Sequence, residues 1–202
     1  EPEPEPVEGI EVVPLGDRRE ELLVAVWPLA LAGYAELPLP GPVSYTLETW
    51  LRESGTRPEG SFVALEHGEP VGFAGLMEHA NGSAIAEHGL TVVRADRRGG
   101  GIARLLKRRQ LAWAAGAGVV RLVTWTQKGN EAMQALNRSL GYVDASKVIT
   151  FQGPRPGGDD GGLGGGPPER SCRHGDDREQ RPGDVRPQGP QCLARRGEEG
   201  GR

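Results

Sequence analysis

The chain has 202 residues, 36% of them hydrophobic, which suits one ordinary domain with extensions. A formal net charge of −4 argues against a general attraction to nucleic acid or anionic membrane surfaces and fits a cationic or amine-bearing partner better. The longest apolar run, Leu22 to Ala32, contains Pro28 and is too short to cross a bilayer, and no signal-like segment opens the chain, so a cytoplasmic protein is expected.

In chain order, residues 1–6 are a Glu-Pro repeat that is charged, stiff and unable to bury anything. They do not begin with Met, and a processed or incomplete start is expected. Ile10 to Val13 suggests a first strand. Asp17 is then expected to cap a helix through about Gly33, ended by prolines at 38, 40 and 42. A second helix is expected from about Ser44 to Glu53, closed by Gly55. From there the apolar period changes to two: Phe62–Leu65 and Val71–Met77 form a hairpin around His67-Gly68-Glu69-Pro70, and Ile85–Val93 is the next strand. Ile102–Ala115 has a helical pattern, and Val119–Thr126 is a β-branched strand. Asn130 caps a last helix ended by Gly141, before strand candidates Tyr142–Val143 and Val148–Phe151.

The sequence of a meander followed by crossover helices argues for an α/β fold around one mixed sheet, spanning residues 7–152. Residues 153–202 hold 14 of the 32 glycines, seven of the 17 prolines, nine Arg against nine Asp plus Glu, and no aromatic residue. Such a tail has too little to bury and is expected to stay disordered. Its lack of Lys, Ile, Phe, Tyr, Asn and Met suggests out-of-frame translation of a GC-rich gene. Both cysteines, Cys172 and Cys192, lie in it, which leaves the domain without disulfide or acyl-cysteine chemistry. The four histidines, His67, His79, His88 and His174, lack metal-ligand spacing, and no metal is expected.

The informative stretch runs from Glu87 to Trp125: a strand, the glycines 99–101, a basic helix and a second strand. Glycines allow a close backbone approach, and N–H groups at a helix N-terminus face an anion, so the turn is a candidate pyrophosphate cradle. Neither a Walker loop nor the dinucleotide fingerprint fits its spacing. The basic residues Arg97, Arg98, Arg104, Lys107, Arg108 and Arg109 lack interleaved aromatics for base stacking, so they are expected to be a solvated helix face and not a nucleic-acid patch.

Arg98-Gly99-Gly100-Gly101-Ile102-Ala103, after a strand ending Thr91-Val92-Val93, resembles the Arg/Gln-x-x-Gly-x-Gly/Ala signature of the GNAT acetyltransferase superfamily. The stretch from Thr124 to Tyr142, with Asn130 and Leu140-Gly141-Tyr142, resembles that family's closing strand and helix. The resemblance implies a GNAT-type mixed sheet with helices on both faces and a splayed parallel pair, here Ile85–Val93 and Val119–Thr126, that admits acetyl-CoA. It implies that the backbones of Thr91, Val92 and Val93 pair with the pantetheine amides, and that Arg98, Gly99, Gly100, Gly101, Ile102, Ala103 and Arg104 hold the pyrophosphate. Asn130 would meet the cofactor near its pantetheine end, besides capping its helix.

For catalysis, the resemblance implies a general base at Glu87, eleven residues before Arg98, with His88 on the other sheet face as the alternative. Many relatives carry a tyrosine seven residues after the capping asparagine to protonate the leaving thiolate; here that position is Asn137, which can hydrogen-bond sulfur but is no acid. Water or another donor, such as Tyr142, would take that role, unless Tyr142 is simply a core aromatic. The activity implied is transfer of acetyl from acetyl-CoA directly to a primary amine of a small molecule or peptide, by a monomer or homodimer. Asn137 keeps a second possibility open, a non-catalytic acetyl-CoA-binding regulatory module. Glu36, Glu48 and Glu78 are candidate partners for the acceptor's ammonium, or ordinary solvated carboxylates.

Overall fold

The computed structural model describes residues 5–37, 45–80, 82 and 84–149. The chain divides after Tyr142, and the described residues 143–149 of the second unit carry neither helix nor strand. The first unit contains strands β1 (Glu11–Pro14), β2 (Phe62–Glu66), β3 (Glu69–Glu78), β4 (Ile85–Val93) and β5 (Arg121–Thr124). Its helices are α1 (Arg19–Ala35), α2 (Leu47–Glu53), α3 (Ile102–Gly116) and α4 (Glu131–Ser139).

The strands form one sheet in the order β1-β2-β3-β4-β5. The first three pairings are antiparallel and the β4–β5 pairing is parallel, as a crossover through α3 requires. The expected mixed α/β sheet is therefore present, with helices on both faces. On one face α1 and α2 bury Leu23, Val26, Ala30 and Trp50 against Val63, Phe73 and Val92. Trp50 is fully buried, and its indole N–H donates to the Leu23 carbonyl at 3.0 Å, which joins α2 to α1. On the other face α3 packs Ile102 and Leu106 on Ala64, Val71, Ala74 and Val93.

The hairpin between β2 and β3 turns on His67 and Gly68 alone, with φ of 52° and 85°. Positive φ at both central residues is the geometry that matches the twist of the flanking strands. Other boundaries differ from expectation for local reasons. Asp17 is no cap: it sits in a tight 3-10 turn, Gly16–Arg18, that leads straight into α1. Helix α2 starts at Leu47 because the Thr46 side chain accepts from the Thr49 N–H at 3.2 Å; Ser44 and the prolines at 38, 40 and 42 lie outside the described residues. The expected strand Tyr142–Val143 is absent, because the Tyr142 N–H is spent on the Asn137 carbonyl at the end of α4. Of Val148–Phe151, residues 148 and 149 are not in a strand and the other two lie outside the described residues, as do residues 153–202 with both cysteines.

Candidate active site

Strand β4 pairs with β5 only from Ile85↔Arg121 to His88↔Thr124. Beyond His88 it continues alone on that side to Val93, which makes a fork whose open edge is Gly89–Val93. A bulge sits at the branching point. Ala74 pairs with Thr91 and Leu76 with His88, so Gly89 and Leu90 together face Gly75. A bulge bends its strand and changes which way side chains point. Here His88 faces α3, whereas Leu90 and Val92, at the same parity, pack toward α1. Helix α1 comes close enough to cover this segment because residue 33 is Gly: a Cβ there would lie 2.6 Å from Val92 Cγ2.

The fork opens into a cavity of about 490 Å³, within the ~300–1,000 Å³ typical of ligand sites. Its lining brings together the end of α1 (Gly33, Glu36), the open edge of β4, the glycine turn, and the first turns of α3 and α4. Gly99 and Gly101 have φ of 81° and 86°, the left-handed region that side chains resist, and Gly101 is the N-cap of α3. The turn and the start of α3 therefore present free backbone N–H groups to the cavity, with the positive end of the helix dipole behind them. At the α4 side, Asn130 Oδ1 accepts from the Met133 N–H at 3.3 Å, leaving its Nδ2 group as a donor. Of the residues expected around a cofactor, Thr91, Val92, Val93, Arg98, Gly99, Gly101, Ile102, Ala103, Arg104 and Asn130 line this cavity, and Gly100 alone does not.

The candidate catalytic residues separate by sheet face. Glu87 is half-buried, and burial holds its carboxyl above the usual carboxylate range, against smaller opposing effects of His79 and a hydrogen bond from Trp125. His88 is 4% exposed and faces α3. Gln110 Nε2 donates to the Ala74 carbonyl at 3.1 Å, so its Oε1 must accept from His88 Nδ1 at 2.9 Å. His88 Nε2 is then the acceptor for the Tyr142 hydroxyl at 2.6 Å. Burial first, then the Lys107 charge, pulls the His88 pKa down to about 3, so the ring is neutral near pH 7. Tyr142 is pushed up to about 12 by burial. Asn137 is buried, donates from Nδ2 to Thr126 Oγ1 at 3.1 Å, and has an Oδ1 with no hydrogen-bond partner. None of these four lines the cavity.

The basic face differs from expectation. Lys107 is not solvated: it is 1% exposed, with Nζ 5.7 Å from the centre of the Tyr142 ring, and burial lowers its pKa to about 8. Arg97 pairs with Glu66 at 2.8 Å and Arg98 with Glu36 at 2.8 Å. Sequence reasoning missed Gln110 and Glu66 as parts of this region and placed Lys107 on the solvated face. The i, i+3 spacing of Lys107 and Gln110 on an otherwise apolar helix face was the available signal. Among the described residues, no group of three or more His, Cys, Asp or Glu could hold a metal ion, and no helix is long and apolar enough to cross a membrane.

Known structures share this architecture. An aminoglycoside acetyltransferase, meta-AAC0020, from an uncultured soil metagenomic sample superposes with a TM-score of 0.55 at 14% identity, over 72% of this chain and 96% of its own. A ribosomal-protein-alanine N-acetyltransferase from Brucella melitensis biovar Abortus 2308 gives 0.57 at 21% identity, over 71% and 99%. An N-acetyltransferase from Staphylococcus aureus Mu50 gives 0.57 at 22% identity, over 68% and 85%. At these identities the likeness is one of fold. No curated protein sequence matches significantly. The sequence model of the acetyltransferase (GNAT) family, however, matches residues 23–142, which hold most of α1, the fork, the glycine turn and α4, and the chain therefore belongs to the GNAT acetyltransferase family.

Proposed function

We propose that this protein is a cytoplasmic N-acetyltransferase that moves the acetyl group of acetyl-CoA onto a primary amine of a small molecule or peptide, by direct attack in a ternary complex. The observation that carries this is the fork, where an unpaired strand edge runs directly into an N–H-lined glycine turn within one cavity. An extended chain with amides and an anionic end matches that pair of features. Thr91, Val92 and Val93 would hydrogen-bond the pantetheine arm as an added strand. Residues 98–104 would hold the diphosphate, and the Asn130 amide would bind the arm where it leaves the turn. The cofactor supplies an activated thioester. Amine acceptors of structural neighbours, an aminoglycoside for one and a ribosomal-protein alanine for another, support an amine here.

Glu87 is the proposed general base. An ammonium acceptor must lose a proton before its nitrogen can attack, and a carboxyl raised by burial holds that proton better near neutrality. His88 is less suited, since both ring nitrogens are engaged and its pKa lies near 3. For the leaving thiolate, the Tyr142 hydroxyl already donates to His88 and Asn137 Nδ2 to Thr126, so we assign the proton to water. The same two engagements favour a second reading, a non-catalytic acetyl-CoA-binding module. Calorimetry with acetyl-CoA, together with thiol release on adding aminoglycosides, polyamines, amino acids and peptide N-termini, separates them. An enzyme binds and releases thiol with an amine, a module only binds, and absence of binding refutes both.

A further inference from the structure

Arg98 stands at the foot of the glycine turn with its guanidinium held at two points. Nε donates to the Val93 carbonyl at 3.0 Å, and Nη2 meets Glu36 Oε2 at 2.8 Å. Glu36 is the C-cap residue of α1, so the pair bridges the cavity from α1 to the turn. Among the described residues, Glu36 is also the single acidic one in a lining that includes Arg97, Arg98 and Arg104. A carboxylate on that guanidinium mimics one end of a diphosphate: it is an anion with two oxygens, placed where the N–H groups of the turn and α3 also point. The partners are 46% and 52% exposed, and an ion pair that open to water is held weakly enough to be exchanged.

We infer that Glu36 is a specificity-determining residue that occupies Arg98 in place of the cofactor's diphosphate, so that a thioester donor carrying this diphosphate opens the bridge and one lacking it does not. The inference rests on the cavity being the acetyl-CoA site proposed above. Arg98 passes from one anion to another without being left unpaired, and the donor must outcompete Glu36. Removing the carboxylate should therefore favour ligands with a diphosphate and leave others alone.

The test is calorimetric binding of CoA, dephospho-CoA, which keeps the diphosphate, and pantetheine, which has none, to the full chain and to Glu36→Gln, Arg98→Gln and the double variant. Glu36→Gln should tighten CoA and dephospho-CoA about two- to fivefold and leave pantetheine unchanged. In the Arg98→Gln background, Glu36→Gln should have no effect, because the exchange partner is gone. Unchanged CoA affinity in Glu36→Gln overturns the inference. An equal gain without Arg98 does so too, since it would mean plain repulsion between Glu36 and the ligand, and so does an equal gain for pantetheine. Wild-type protein that binds pantetheine and CoA equally would remove the diphosphate site itself, and with it the function proposed above; any other failure leaves that function standing.

Discussion

Replacing Lys107 by Met should stabilise this protein at neutral pH. Lys107 is 1% exposed between α3 and the sheet, and burial lowers its pKa from 10.5 to about 8. The difference corresponds to about 3 kcal/mol at ~1.4 kcal/mol per pH unit, the cost of carrying the ammonium into the fold. Below pH 8 both folded and unfolded chains carry the charge and the folded state bears the full cost. From pH 8 to 10.5 the folded lysine is neutral while the unfolded one is charged, so the cost declines, and above 10.5 it is gone. Met keeps the length and apolar stem but gives up the cation–π contact with Tyr142 at 5.7 Å, worth about 0.5–1 kcal/mol. The net gain at pH 7 is about 2 kcal/mol, or roughly 6 °C in melting temperature for a domain of this size. Thermal and urea melts of Lys107→Met and wild type at pH 7 and pH 10 provide the assay, with the gain expected to shrink at pH 10. A variant that melts at or below wild type at pH 7, or that gains equally at both pH values, would mean that the buried Lys107 ammonium does not destabilise the fold.

Three further outcomes are expected. Gly101→Glu puts a side chain and a negative charge at a left-handed N-cap with φ of 86°, so it should abolish the rise in melting temperature produced by acetyl-CoA; an undiminished rise would move the anion site elsewhere. Glu87→Gln should lower kcat by about 10²-fold while CoA affinity stays nearly unchanged, and the wild-type pH profile of kcat/KM should rise through a pKa above 4.5; full activity in the Gln variant would shift the base to another group. His88 is depressed from 6.5 to about 3, so it contributes stability that is present in full above pH 6.5 and is lost as pH falls toward 3. Urea unfolding of wild type should therefore weaken more steeply over that window than that of His88→Gln, and equal slopes would mean that the histidine is protonated in the fold.

Much of this site could be read before any coordinates, because its signals are local. The β-branched and apolar content of Ile85–Val93 set that strand's bounds as found. The glycines at 99 and 101 mark a left-handed turn, and Asn130 marks a helix start. What escaped depends on which residues meet across the fold. Lys107 looks like its neighbours Arg108 and Arg109 in sequence, yet it lies on the helix face that packs on the sheet. The bulge at Gly89–Leu90 is a difference in register between two strands and leaves no mark on either alone. Tyr142 reads as a strand residue by propensity, but the left-handed Gly141 turns it back to His88, 54 positions away. The Glu36–Arg98 pair joins a residue expected at the pyrophosphate to one offered as a partner for the acceptor's ammonium, and nothing in the sequence marks them as partners of each other.

Whether the chain is an acetyltransferase is decided by amine-dependent thiol release from acetyl-CoA, followed together with appearance of the acetylated amine across aminoglycosides, polyamines, amino acids and peptide N-termini. Wild-type protein should acetylate at least one primary amine with stoichiometric thiol release, Gly101→Glu should lose this activity through binding, and Glu87→Gln should lose it through kcat. Protein that binds acetyl-CoA in the fork but leaves every amine unmodified at all pH values would contradict catalysis and make the chain a binding module.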